Sequence, residues 1–263
     1  MCSILPFRLF TKQNIKIKTT MKKLLSLKLF MILAALTFMT ACNDDDNPGN
    51  TWTGTTIGNL VKVDDATYYI DTFKGNKLYV SNYSDLVNNK IEAGSRVYCA
   101  FLIESENPKG STYQYNVRVY QCIPLTVKEP VHLTPDKVEE VGDDKINLLY
   151  AWAGDRYIDI QFQIQATGSI THTINLVTVD EPEQAKEGFK YLELRHNANG
   201  DYALENYNGM MSFDVTKILA EEPSLKGFII KVPYQSGTKY VEVEYENAKA
   251  DIEPITPTLT SIH

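Results

Sequence analysis

The chain has 263 residues and an acidic balance, with 33 Asp and Glu against 26 Lys and Arg. That sign argues against a nucleic-acid or anionic-lipid surface, since both need a net basic face. The sequence has no phosphate-cradling glycine loop, no Gly-x-Ser-x-Gly elbow, no His-Glu-x-x-His and no Cys-x-x-Cys pair. It therefore carries no signature of a catalytic centre, a cofactor site or a metal site.

In chain order, the first element is a leader. Lys22, Lys23 and Lys28 precede an uncharged apolar run, 29–41, and Thr40 and Ala41 lead into Cys42. A positive n-region, a short h-region and a small-residue cleavage site follow the order of a secretory signal. The uncharged run is 13 residues long, short of the roughly 20 that a spanning helix needs. A cysteine in that place looks like a bacterial lipoprotein box. Residues 1–41 are then a signal peptide, and Cys42 is the acylated first residue of the mature chain. Met21 is the more usual start for such a signal, which leaves 1–20 and Cys2 outside it. Each buried acyl methylene contributes about 0.8 kcal/mol, so two or more chains hold a protein on a membrane where one does not. Segment 42–55, with Asp44, Asp45 and Asp46, reads as a lipidated cysteine followed by a flexible acidic tether. Without residues 1–42 the chain keeps 19 basic and 33 acidic residues, a formal charge of −14. That charge serves solubility or attracts cations or a basic protein partner.

Residues 56–125 hold about five strand signals: 57–63, 67–72, 77–81, 95–103 and 113–123. A Phe73-Lys74-Gly75-Asn76 turn lies between the second and third, and the longest loop, 82–94, between the third and fourth. This predicts a small Greek-key barrel of the OB type. Val97, Cys99, Phe101 and Ile103 share one strand face; Tyr113, Tyr115, Val117 and Val119 share another, with Cys122 out of phase unless a bulge intervenes. A hairpin through 104–112 sets Cys99 opposite a residue near Val117. A Cys99–Cys122 disulfide and two buried thiols both stay open. Tyr68, Tyr79, Tyr98, Tyr113, Tyr115 and Tyr120 lie on these strands, where they either stack on sugar rings or pack across strands.

Residues 126–141, with Pro130 and Pro135, read as a linker. Residues 142–250 return to strand signals, and 157–166 alternates without fault. Further strands are expected at 171–179, 189–196, 210–215, 225–232 and 239–246, with a short helix at 216–222 ended by Pro223. Strands with turns between them and almost no helix argue for a β-sandwich, followed by a tail, 251–263. Trp152, near the start of this domain, is expected in the core. His172 is in phase with Ile174 and Leu176 and reads as a hydrogen-bonded residue at the core edge. His196 follows Arg195 near Asp201, where it binds a ligand, orients a base or simply holds the turn. Asp64-Asp65 and Asp143-Asp144 lack the alternating oxygen ligands of a calcium loop and read as turn residues.

Gly94-Ser95-Arg96-Val97, Leu192-Glu193-Leu194-Arg195-His196-Asn197 and Met211-Ser212-Phe213-Asp214-Val215, placed behind a lipoprotein start, make the chain similar to the NigD-like lipoproteins of Bacteroidota. The resemblance implies an N-terminal OB domain and a C-terminal β-sandwich. The acidic triplet after Cys42 resembles the signal that sends lipoproteins of that phylum to the outer face of the outer membrane. The family is named for a protein linked to bacteriocin immunity and offers no catalytic residues to carry over. The expectation is an all-β envelope lipoprotein without catalytic activity or cofactor. It is held to the membrane through Cys42 and acts as a protein-interaction module, with surface glycan or small-ligand binding as the alternative.

Overall fold

In the computed structural model the described residues are 52–201 and 205–246. The segment expected to be a signal peptide, 1–41, together with Cys42, most of the expected tether and the tail 251–263, lies outside them. No helix among the described residues is long and apolar enough to cross a membrane.

The first half is a closed barrel in the order β1-β2-β3-β5-β4. Its strands are β1 (Trp52–Lys62), β2 (Tyr68–Thr72), β3 (Lys77–Val80), β4 (Arg96–Glu106) and β5 (Tyr115–Pro124). All neighbours are antiparallel except β3 and β5, and a helix, α1 (Tyr83–Asn88), lies between β3 and β4. This is the five-stranded Greek-key order of an OB barrel. Alternate residues point inward, so Leu60, Ile70, Leu78, Val80, Val97, Cys99, Phe101 and Val117 fill the interior, and Leu86 of α1 packs against them.

The second half is one nine-stranded sheet in the order β6-β12-β9-β8-β14-β13-β11-β10-β7. It comprises β6 (Thr126–Lys128), β7 (Val131–His132), β8 (Asn147–Gly154), β9 (Tyr157–Gln165), β10 (Thr173–Thr178), β11 (Phe189–Asn197), β12 (Asn206–Asp214), β13 (Gly227–Tyr234) and β14 (Gly237–Glu246). Among the described residues β8 and β14 are joined only through Tyr245↔Ala153 and Glu246↔Gly154. At that corner the sheet curls into two layers. Ile158, Ile160 and Phe213 from one layer and Leu176, Leu192, Leu194, Phe228 and Ile230 from the other share a single core.

Segment 126–141 is not a free linker. β6 pairs in parallel with β12 and β7 with β10, so one short stretch occupies both outer edges of the sheet. Pro130 lies between the two, and a 3₁₀ turn, Pro135–Lys137, continues into α2 (Val138–Val141). Strands of two and three residues are too short to register as alternation, but they cover edges that are otherwise open to pairing.

Three glycines lie directly opposite aromatic residues: Gly54↔Phe101, Gly209↔Phe162 and Gly227↔Phe189. A Cβ on Gly209 would meet the Phe162 ring at 2.4 Å. The aromatic ring covers backbone that the glycine leaves bare. Gly209→Ala is expected to cost about 1–3 kcal/mol by overpacking, read as a lower urea midpoint with an unchanged slope.

Barrel and sandwich meet at a buried ion pair. Arg96, which begins β4, donates from Nε to Asp159 Oδ1 at 3.0 Å and from a terminal nitrogen to Oδ2. Its guanidinium lies 4.0 Å from the Tyr157 ring centre. Ser212 Oγ also donates to Asp159. The two side chains are 1% and 4% exposed.

Candidate functional site

Three groups of side chains could carry function. The first joins His172, His196 and Asp201. His196, near the end of β11, must donate from Nδ1, because its partner at 2.9 Å is the Lys145 carbonyl. Its Nε2 lies 2.8 Å from His172 Nδ1, and His172 Nε2 lies 3.2 Å from Asp201 Oδ2. With His196 Nδ1 committed as a donor, every ring nitrogen of the two histidines has a hydrogen-bond partner. Asp201 also accepts from the Thr167 N–H and hydroxyl at 2.8 and 2.9 Å. The group is buried. It ties together the segments around residues 145, 167–172 and 196–201, and leaves no ring nitrogen free for substrate. Among the described residues no cluster of His, Cys, Asp and Glu is placed to hold a metal.

Burial pushes the His196 ring below the ordinary histidine range; His172 adds to this, while the Lys145 carbonyl and Asp144 oppose it. The Thr167 N–H above all holds the Asp201 carboxyl below the usual carboxylate range. Both shifts have the same sign. The unfolded chain takes up protons that the folded groups refuse, so stability falls on acidification. For His196 the loss begins below about pH 6.5, and for Asp201 below about pH 3.9, their unfolded values. Urea midpoints are expected to drop between pH 7.5 and 5.5. His196→Gln, although less stable at both values, is expected to show a smaller drop.

The second group lies on the barrel. An open groove of about 440 Å³ is lined by Asn82, Asp85, Asn89, Arg118, Tyr120 and Cys122, among others. Of the barrel tyrosines singled out above, Tyr68 and Tyr115 are buried, Tyr79, Tyr98 and Tyr113 are half-buried, and Tyr120 is exposed. Cys122, and not a residue near Val117, is directly opposite Cys99, because β4 runs on to Glu106 and β5 begins at Tyr115, which sets a different register from a hairpin through 104–112. The register shift at Ala100/Phe101 brings Cys122 in phase with the core face of β5. The two Sγ atoms are 3.1 Å apart.

The third group corrects the placement of Trp152. Tyr150 and Trp152 of β8 stack at 5.8 Å with 17° between their planes. They are 62% and 36% exposed, beside an exposed Leu149. The shift in register between Leu148 and Tyr150 turns the strand, so that Ala153 is buried while both large rings face outward. Trp152 is opposite Asp159 in the ladder, which places the aromatic strip next to the Arg96 ion pair.

Residues 129–245 match the family described as the NigD-like C-terminal beta sandwich domain. The C-terminal domain is a NigD-like β-sandwich. Among solved structures, a protein of unknown function from Bacteroides vulgatus is similar at a TM-score of 0.63 and 22% identity, over 78% of this chain and 96% of that one. A toxin-related protein from Parabacteroides distasonis follows at 0.56 and 20%, covering 75% of this chain and 94% of its own. A NigD-like immunity protein from Bacteroides caccae is similar at 0.50 and 18%, covering 74% and 93%. These matches extend beyond the NigD-like segment, so the barrel-plus-sandwich fold is shared as a whole. No curated protein matches the chain.

The residues that carry the NigD-like resemblance turn out to be framework. Leu192, Leu194 and Phe213 are core. Glu193 is buried against Arg195 and Lys231. Asn197 donates to the carbonyls of Glu139 and Glu140, and Asp214 accepts from Thr216 at the start of α3 (Thr216–Glu221). The aspartate pairs are likewise turn residues: Asp64 accepts from the Ala66 N–H and Asp144 from the Ala198 N–H. The aromatic strip was missed because only the bulge at Leu149 sets its direction.

Proposed function

We propose that this NigD-like chain is a cell-envelope lipoprotein without catalytic activity. It is anchored through acylated Cys42 and binds a basic protein through the strip formed by Leu149, Tyr150 and Trp152. The stacked, exposed Tyr150–Trp152 pair carries the reading, because tyrosine and tryptophan dominate the binding energy of protein interfaces. The −14 charge of the chain beyond residue 42 favours encounter with a basic partner. Bacteriocin immunity is the sharpest form of this role: display on the outer membrane would let the strip intercept a basic toxin. The names of the Bacteroides caccae and Parabacteroides distasonis proteins are in keeping with it.

The test is cross-linking in intact cells, followed by capture of the mature lipoprotein. A single recurrent protein partner is expected. Recovery of the bait alone would contradict the reading. Cys42→Ser is expected to release the protein from the membrane fraction, since no acyl chain then holds it. A glycan remains the second occupant, favoured by the amide, carboxylate, Arg118 and Tyr120 side chains that line the barrel groove. In that case Tyr120→Ala abolishes retention on the sugar and Trp152→Ala does not.

A further inference from the structure

We propose that Cys122 and Cys99 form a redox pair, with Cys122 as the thiol that attacks an incoming disulfide from the barrel groove and Cys99 as the thiol that resolves the product. Three features of the geometry support this order. The residues are directly opposed on antiparallel β4 and β5. Opposed antiparallel residues have Cα atoms about 4.5–5.5 Å apart, within the span a disulfide bridges. The sulfurs are already 3.1 Å apart. The two thiols also differ in access: Cys122 lines the open groove, whereas Cys99 is fully buried in the barrel core.

The electrostatics agree with that division. The Cys99 S–H donates to Cys122 Sγ, which lowers the Cys122 thiol from its ordinary value. The same contact, together with burial, pushes the Cys99 thiol up. The thiolate is the attacking species, and it forms first on the accessible sulfur.

The co-reactant is a disulfide, supplied in the envelope by a thiol-oxidising protein. Cys122 thiolate attacks one of its sulfurs, a mixed disulfide forms and one thiolate of the oxidant leaves. Cys99 gives up its proton to that thiolate and attacks Cys122 Sγ, forming the intramolecular bond and expelling the second thiolate, which takes up the proton that Cys122 had released to solvent. Two thiols of this chain are oxidised and one disulfide of the oxidant is reduced to two thiols. The closed bond ties β4 to β5 at the wall of the groove. Only the source of the oxidant rests on the envelope location proposed above.

The test uses the reduced full chain in detergent, 5,5′-dithiobis(2-nitrobenzoate) as the disulfide probe, and peptide mapping to separate these thiols from Cys2 and Cys42. The native chain is expected to release two thionitrobenzoates from this pair, keep no adduct on it and yield a linked Cys99–Cys122 peptide. Cys99→Ala is expected to stop at a stable adduct on Cys122, and Cys122→Ala to leave Cys99 unmodified until the chain is unfolded. A native chain that keeps adducts on either cysteine, or that forms no linked peptide, overturns the proposal whatever the variants do. Chain from cells, acid-quenched and alkylated, is expected to arrive already linked. Reduced cysteines there, with closure by the probe intact, would count against the envelope location and leave the pair standing.

Discussion

Arg96→Ala is expected to lower the stability of the folded unit by about 3–5 kcal/mol, because it leaves the Asp159 carboxylate buried without its cation. Both side chains of the pair are almost wholly buried. Among the described residues Ser212 Oγ is then the one side-chain donor left to Asp159, and Tyr157 loses the guanidinium stacked on its ring. The urea midpoint should fall by roughly 1–2 M. The double variant Arg96→Met with Asp159→Leu is expected to recover most of the loss, since replacing a buried ion pair by apolar groups of similar size is often neutral. A single variant that unfolds like the native chain would show that this contact does not join the two halves.

Trp152→Ala is expected to weaken partner binding by about 2–4 kcal/mol, or roughly 30- to 1,000-fold in Kd. Its stability cost combines the stacking lost against Tyr150, about 0.5–1.5 kcal/mol, with the loss of the covered part of a ring that is 36% exposed. Tyr150→Ala, at the more exposed ring, separates the two effects further. It loses the same stack but little buried area, so its stability cost is expected at about 0.5–1.5 kcal/mol, with binding still impaired. Titration of the captured partner against each variant gives the ratio directly. Equal loss of binding and stability would mean that the strip is structural.

Much of the fold was legible in the sequence because it is written in local alternation. Tyr157 to Gln165 reads as β9 from its period alone. The final hairpin is announced by Ser236-Gly237, where Gly237 takes a positive φ of 112°. The illegible parts share a cause. β8 is broken by a bulge at Leu149, β6 and β7 are too short to alternate, and a further register shift at Ala100/Phe101 changes the phase of Cys122. A bulge moves every later residue to the other face, so one extra residue decides whether Trp152 is core or surface.

The site groups were harder still, because they are assembled across long separations. Arg96 meets Asp159 across 63 positions, and His172 meets His196 and Asp201 across 24 and 29. Nothing local to Asp159 or His172 marks these partners. The motif residues of β11 and β12 were read as a family signature, and in the structure they hold the strand ends, the core and the joint to the barrel. The aromatic strip belongs to none of those motifs.

The most direct measurement is photo-cross-linking in intact cells from a photoreactive residue at position 150, with a second chain carrying it at Tyr240, an exposed tyrosine of β14. The account predicts one protein adduct from position 150, abolished by Trp152→Ala, and none of the same mass from position 240. The same adduct from both positions, or none from position 150 while the protein is present at the membrane, would contradict it.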